Sequence, residues 1–353
     1  MWFHSVLAWF RLSAIRTVKL QPPRVSALEH ISQAIKLGTL RGYPSLETFI
    51  PSIRTDDGVN LYYEEAGTGT PIVFVHEFAG DYRSWEPQMR HFSRRYRCIT
   101  YSARGYLPSE VPDSPDQYSQ DRVRDDILAV LDGLGISRAH IVGCSMGAFA
   151  TLHFGMQYCT SAAKSRALSL TLVGCGSGAH PAVHRQFKEE SVERARTIRH
   201  DGMAELAATY GHGPARIQFL TKDPRGFAEY AAQMAEHSAA GSANTMEGYQ
   251  GRRPCLYDLT DRMAAIDVPM LVMSGDEDEL CLEPSLLIKR VVSKAGLSIV
   301  PKTGHAVNLE EPQVFNQILD DFLHQVDQGK WGPRDPRAAL DSIWGPGGKP
   351  TPA

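Results

Sequence analysis

Short, largely apolar runs recur along the chain, and each is too brief for a helix of ordinary length. They cover residues 71–76, 97–101, 140–144, 168–173, 269–273 and 297–300. A run that is apolar almost throughout, rather than at alternate positions, is typical of a strand buried on both faces. Stretches of helical character separate these runs at residues 84–94, 119–134, 145–158, 284–293 and 311–326. The alternation predicts an α/β fold with a mostly parallel central sheet flanked by helices.

Two parts of the chain depart from this alternation. Residues 49–53 and 59–64, joined by a turn at Asp57-Gly58, predict a hairpin ahead of the first buried strand. Residues 178–267 contain no convincing strand but have helical stretches, which predicts a helical cap insertion. The expected domains are an N-terminal extension at 1–48, an α/β core at 49–177 and 268–328, the cap at 178–267, and a disordered Gly/Pro-rich tail at 329–353.

Composition narrows the classes of partner. The 353 residues carry a formal net charge of −3 with acids and bases interspersed, so no basic stripe suits nucleic acid. The cysteines form no CxxC pair and show no zinc-like spacing, which favours reduced, buried thiols. No run approaches the roughly 18 apolar residues of a membrane span. A small-molecule substrate is the expected partner, with no nucleic acid and no membrane span, and a homodimer is left open.

The first residues form a basic segment, because no acid occurs before Glu29. Its apolar run, residues 6–10, precedes the arginines, which is the reverse of the order in a secretory signal. We expect a cytoplasmic protein, and organelle targeting by this segment remains the alternative.

The segment around Ser145 indicates nucleophilic chemistry. An apolar strand at 140–144 enters the pattern Gly143-Cys144-Ser145-Met146-Gly147, and a helix-compatible run follows. A strand-to-helix turn this sharp exposes the serine hydroxyl and requires small residues on either side of it. The helix N-terminus brings its amide dipoles to the reacting centre, and the Met146 N–H becomes a candidate oxyanion donor.

These features resemble the α/β-hydrolase superfamily over roughly residues 53–326. The resemblance implies a triad in the chain order serine, acid, histidine. The strand at 269–273 leads into Asp276 and Asp278, of which Asp278 is at the family's usual acid position and Asp276 is the alternative. His305 follows the last strand and is the implied general base, with Asp278 orienting its ring.

The loop after the first buried strand resembles the family's oxyanion loop but departs from it. It reads His76-Glu77-Phe78-Ala79-Gly80, with Glu77 where a glycine is usual. The resemblance implies Phe78 as the second backbone donor, beside Met146, and His76 as a structural residue. Glu77 either braces the loop through a salt bridge or hydrogen bonds, or handles water or substrate. Residues 101–109 nearly match a further motif of the family, and Arg104 within them is expected to brace loops near the site.

Three functions follow from these residues. The first is hydrolysis of a carboxylic ester, thioester or lactone through an acyl-serine, which a serine nucleophile favours over dehalogenase or epoxide hydrolase chemistry. The second is carbon–carbon cleavage of a diketone, as in the meta-cleavage hydrolases, where Arg252-Arg253 could hold a substrate carboxylate. That pair is alternatively a solvated basic pair. The third is a ligand-binding protein on a hydrolase scaffold. No cofactor is expected, since neither a phosphate-cradling glycine motif nor a metal-ligand cluster occurs in the sequence.

Overall fold

A computed structural model of the chain describes residues 51–210 and 212–339. The predicted N-terminal extension, its targeting interpretation and the tail from residue 340 lie outside this part. All six cysteines are within it, and each is a buried free thiol.

A single eight-stranded sheet organises the described residues, in the spatial order β1-β2-β4-β3-β5-β6-β7-β8. The first two strands pair antiparallel, β2 joins β4 antiparallel, and every other neighbouring pair is parallel. The predicted α/β class with a mostly parallel sheet is therefore confirmed. The strands are β1 (Ser52–Arg54), β2 (Asn60–Ala66), β3 (Pro71–Val75), β4 (Arg97–Tyr101), β5 (Ala139–Cys144), β6 (Ala167–Val173), β7 (Met270–Gly275) and β8 (Ala295–Val300).

Helices connect the strands and cover the sheet. The α-helices are α1 (Glu86–Phe92), α2 (Gln120–Gly133), α3 (Met146–Tyr158), α4 (Pro181–Tyr210), α5 (Ile217–Lys222), α6 (Pro224–Ala235), α7 (Ala239–Asn244), α8 (Thr260–Ala264), α9 (Glu279–Val291), α10 (Val307–Glu310) and α11 (Pro312–Asp327). A π-helical turn spans Thr245–Gln250, and short 3₁₀ turns lie at Tyr82–Trp85, Pro115–Gln117, Leu256–Leu259 and Pro336–Ala339.

The central strands are largely apolar because both of their faces are buried. On β3, Val73 and Val75 belong to the core on one face of the sheet, whereas Ile72 and Phe74 belong to the core on the other. Successive side chains of a strand point to opposite faces, so a strand covered on both sides has few positions for a polar residue. This arrangement brings the carboxyl ends of the parallel strands together at one edge, where the site lies.

The interval between β6 and β7, here called the insertion, contains only helical elements and turns among its described residues. Its longest helix, α4, is interrupted at Gly202, whose φ of 82° is non-helical. Apolar side chains of the insertion, including Ile198, Tyr230 and Tyr249, share one core with a face of the sheet. No helix in the described part is long and apolar enough to cross a membrane.

Two predicted boundaries need correction. The helix expected at 284–293 begins at Glu279 and carries Pro284 in its interior, so the proline does not mark its start. The tail expected to be disordered from 329 packs on the core over its first residues. Trp331 lies edge-on to Phe322, with ring centroids 4.6 Å apart, and its Nε1–H donates to Lys294 O at 2.8 Å. The Gly/Pro-rich composition did not indicate this packing, because the apolar area that is buried comes from a single tryptophan.

Candidate active site

Ser145 lies at the turn between β5 and α3, with φ 50° and ψ −111°. Positive φ is strained for a residue with a Cβ and costs on the order of 1–3 kcal/mol. The backbone is held there by the Ser145 N–H, which donates to Val173 O of β6 at 2.7 Å. A Cβ at Gly143 or Gly147 would collide with neighbouring backbone, so both flanking positions require glycine. Ser145 is partly exposed while the residues around it are buried.

His305 and Asp278 meet at the carboxyl edge of the sheet. His305 Nδ1 lies 2.6 Å from Asp278 Oδ2, and both side chains are buried. A carboxylate only accepts, so Nδ1 carries the proton and Nε2 is the basic ring nitrogen. Burial alone raises the pKa of Asp278, but the charge and hydrogen bond of His305 outweigh it and hold that pKa below its usual value. Asp278 is therefore an anion that fixes the imidazole tautomer.

The alternative acid, Asp276, lies elsewhere. Its carboxylate accepts from the Thr303 N–H at 3.2 Å and makes no hydrogen bond to His305 among the described residues. Of the two predicted candidates, Asp278 is the one that the fold brings to the histidine.

Gly174 and Cys281 enclose the histidine ring. Gly174 has a φ of 58°, and a Cβ there would approach the ring atoms of His305 at 3.1 Å. Cys281 donates its thiol to Gly174 O and lies 3.9 Å from His305 Nδ1. Asp278, Cys281 and His305 offer ligand atoms within 4.8 Å of one another. A metal there would have to break the Asp278–His305 hydrogen bond, and burial raises the pKa of the Cys281 thiol well above its usual value, which disfavours a thiolate ligand.

The predicted oxyanion loop follows β3. His76 is buried between two backbone groups: its Nδ1 donates to Glu77 O at 2.7 Å and its Nε2 accepts from the Ala103 N–H at 2.9 Å. Burial lowers the pKa of His76 to about 4, so the ring is neutral and braces the loop. Within residues 51–210 and 212–339, the backbone N–H groups of Phe78 and Met146 have no hydrogen-bond acceptor. Both are thus available as donors to another molecule.

Glu77 is fully buried and paired. Its two carboxylate oxygens accept from the two terminal nitrogens of Arg216, and Tyr230 OH donates to Oε1 at 3.2 Å. Glu77 is 3% exposed and Arg216 2%. Burial alone raises the pKa of Glu77, but the Arg216 charge and its hydrogen bonds hold it below the usual value. These contacts agree with a bracing role for Glu77, through a salt bridge that the sequence left as one of two alternatives.

Arg216 belongs to a segment that touches two loops of the site. One residue before it, Ala215 O accepts from the His305 backbone N–H at 3.0 Å. The insertion thus contacts the loop that carries the histidine and the loop that carries Phe78. Local motifs did not reveal Arg216 or Tyr230, because they lie far from Glu77 in the chain and carry no pattern of their own. The available signal was Glu77 itself, since a buried carboxylate requires a cation.

The neighbours Arg252 and Arg253 have opposite environments. The Arg252 side chain is 53% exposed and pairs with Asp116 at 2.6 Å. Arg253 is 2% exposed, donates to Ser177 O at 2.9 Å and to Gln250 Oε1, and stacks on Phe149. The idea of a solvated basic pair is therefore wrong for Arg253.

Comparisons with known proteins agree with the observed fold. A family model described as alpha/beta hydrolase fold matches residues 70–312. The chain is 25% identical to 3-oxoadipate enol-lactonase 1 of Acinetobacter baylyi, over 72% of this chain and 89% of that one.

Among solved structures, it superposes on an enol-lactonase from Burkholderia xenovorans LB400 with a TM-score of 0.66 and 24% identity, covering 78% of this chain and 100% of that one. A thermophilic esterase from Thermogutta terrifontis gives a TM-score of 0.67 at 22% identity, covering 78% and 98%. At these identities the superpositions show a shared fold.

Proposed function

Since the chain belongs to the alpha/beta hydrolase fold family, we propose that this hydrolase cleaves a carboxylic ester, thioester or lactone of a small molecule through an acyl-serine intermediate. Ser145 is the nucleophile, His305 the general base and Asp278 the acid that orients the histidine. Phe78 and Met146 supply the backbone N–H groups of the oxyanion hole. The observation that carries the proposal is the buried Asp278–His305 hydrogen bond of 2.6 Å on the sheet edge that presents Ser145.

The first half-reaction forms the acyl-enzyme. Ser145 Oγ attacks the carbonyl carbon while its proton passes to His305 Nε2, and Asp278 stabilises the imidazolium that results. The carbonyl oxygen becomes an oxyanion facing the Phe78 and Met146 N–H groups, which have no acceptor among the described residues and are free to donate. The intermediate collapses as the leaving oxygen or sulfur takes the proton from Nε2.

The second half-reaction restores the serine. Water gives a proton to His305 Nε2 and attacks the acyl carbon, and the tetrahedral intermediate expels Ser145 Oγ, which recovers the proton. The products are a carboxylic acid and an alcohol, thiol or enol. With a lactone, both groups remain on one molecule.

In the same proposal the insertion is a cap on an α/β core. The core would comprise residues 49–177 and 268–328, and the cap residues 178–267. Support comes from the insertion residues that reach the site, because Arg216 pairs with Glu77 and Tyr249 OH donates to Met146 O at 2.8 Å. The enol-lactonase name of the Acinetobacter relative supports lactones among the substrates to test.

The experiment is a substitution series assayed on 4-nitrophenyl esters of graded length. Ser145→Ala should abolish turnover and labelling by a fluorophosphonate probe while the protein stays folded, because no core volume is lost. Equal labelling of wild type and variant would show that Ser145 is not the nucleophile.

Asp278 and Asp276 form a matched pair for the acid. Asp278→Asn should lower kcat about 10⁴-fold by disturbing the histidine tautomer, whereas Asp276→Asn should cost far less. The reverse ranking would transfer the role to Asp276.

Carbon–carbon cleavage of a diketone would use the same triad, and a diketone substrate in the panel separates the two reactions. Turnover of the diketone with no turnover of any ester or lactone would favour it.

A further inference from the structure

Three arginines are buried within the described residues, and they differ in their partners. Arg104 pairs with Asp126 at 2.6 Å and Asp57 at 2.8 Å, and Arg216 pairs with Glu77. Arg253 has no carboxylate within 4 Å among residues 51–210 and 212–339. It is thus the one buried guanidinium of this part of the chain without an anionic partner.

The surroundings of Arg253 leave donors unused. A guanidinium has five N–H donors, and two of them reach Ser177 O and Gln250 Oε1. Its Nε is buried and has no hydrogen-bond partner among the residues that the structure describes. Phe149 covers one face, with its ring centroid 3.7 Å from Cζ. The free donors lie in the guanidinium plane, which is the geometry that suits a carboxylate.

Within the described part of the chain, the other acidic groups near this cation do not neutralise it either. These groups are the Tyr249 and Tyr210 phenols and the Cys175 and Cys281 thiols. Burial raises the pKa of Tyr249, Cys175 and Cys281 above the usual values, so these three are neutral at physiological pH, and none of the four groups is a carboxylate.

The position of Arg253 ties it to the reacting centre. Phe149 is one helical turn after Ser145 on α3, and its backbone N–H donates to Ser145 O at 3.0 Å. Tyr249, whose ring is 5.7 Å from Arg253 Cζ, donates its hydroxyl to Met146 O. Ser177, which accepts from the guanidinium, follows the end of β6, and β6 holds the Ser145 backbone through Val173 O. The guanidinium is therefore attached on several sides to the elbow that carries the nucleophile.

A buried charge without a counter-ion is costly, and replacing it by an apolar side chain would usually stabilise the fold. From these contacts we infer that Arg253 binds a carboxylate of the substrate, so that the substrate is an ester, thioester or lactone that also bears a free acid group. The inference rests on the proposed hydrolysis for the nature of the scissile bond. A single guanidinium balances one negative charge, which selects a carboxylate over a phosphate dianion.

Binding of simple acids tests the inference independently of turnover. Calorimetry on the full chain would use succinate, glutarate and adipate as probes, with glutaramide as the neutral control and inorganic phosphate as the alternative anion. Arg253→Met removes the cation at similar length, and Arg252→Met is the matched control at the exposed neighbour. We expect at least one diacid to bind wild type and Arg252→Met, and to bind Arg253→Met about 100-fold more weakly.

Arg253→Lys keeps the charge without the planar fork and should fall between the two. Absence of binding by all three diacids, equal binding to Arg253→Met, or binding of phosphate alone would overturn the inference.

Kinetics then link the anion to the reaction. The 4-nitrophenyl monoester of glutaric acid and 4-nitrophenyl pentanoate have the same chain length and differ in a terminal carboxylate. The ratio of their kcat/KM values should favour the acid ester in wild type. It should fall about 100-fold in Arg253→Met and stay within about twofold in Arg252→Met.

The two proposals can fail separately. Hydrolysis of both esters with the same ratio in every variant would refute the role of Arg253 and leave ester hydrolysis standing. Diacid binding that depends on Arg253, without hydrolysis of any ester or lactone, would refute the proposed reaction and leave the anion site standing.

Discussion

The side chains of Arg216 and Arg253 are equally buried, but among the described residues only Arg216 pairs with a carboxylate. Arg216 contacts Glu77 and Tyr230, and the resulting ion pair joins the insertion to the loop after β3. Arg253 meets backbone, an amide and aromatic rings, and the described residues give it no anion. A buried charge with a counter-ion connects parts of the fold, whereas a buried charge without one can still bind an ion of opposite charge from another molecule. The two regions should therefore differ in how much each arginine contributes to the free energy of unfolding.

Removal of the paired arginine should have the largest effect on stability. Arg216→Met leaves Glu77 buried without a counter-ion, and the free energy of unfolding should fall by about 3–5 kcal/mol. Denaturant unfolding measures it, with Arg225→Met as control because that side chain is 91% exposed. The double variant Glu77→Gln/Arg216→Met should recover part of the loss. Equal stability of Arg216→Met and Arg225→Met would contradict the assignment of Arg216 as a structural charge.

The pH dependence of stability should separate the two regions next. The pKa of folded Glu77 is below its usual value, so the unfolded chain binds more protons as pH falls past about 4.3. The stabilisation from ionised Glu77 is therefore complete above that pH and is lost as the pH drops through the folded value. The difference in unfolding free energy between wild type and Glu77→Gln should be constant from pH 7 to 5 and shrink below it.

The corresponding difference for Arg253→Met should stay flat over the same range, because the acidic groups beside Arg253 are neutral throughout it. Urea unfolding at each pH measures both differences. A parallel slope in the two variants would mean that a carboxylate also faces Arg253.

Removal of the unpaired arginine should have the smallest effect on the free protein. Arg253→Met exchanges an uncompensated cation for an apolar side chain of similar length, so the unfolding free energy should stay within about 1 kcal/mol of wild type or rise. A loss as large as that of Arg216→Met would show that Arg253 is part of the architecture and would remove the contrast between the two regions.

The central sheet was predictable because a strand that is buried on both faces has a short, largely apolar sequence. Each apolar run between residues 71 and 300 became a strand, with ends shifted by at most a few positions. The exception among the helices is α9, which starts at Glu279, ahead of the proline that local preference would place at a helix start.

The site was predictable only where it depends on local chain geometry. The elbow around Ser145 and the loops of Asp278 and His305 follow directly from strands, so short motifs located them. The Arg216–Glu77 pair depends on how the insertion helices dock, which one sequence does not specify. The environments of Arg252 and Arg253 differ for the same reason, because both residues follow the π-helical turn in irregular backbone, whose side-chain directions one sequence does not specify.

The Glu77–Arg216 pair also limits how this protein can be rebuilt or diverge. An insertion that lacked an arginine at this position would leave a bare carboxylate in the loop after β3. Loop and insertion must therefore be exchanged together, or Glu77 must first be replaced by a neutral residue. The insertion is not an interchangeable module, and changes at positions 77 and 216 are expected to occur as a pair.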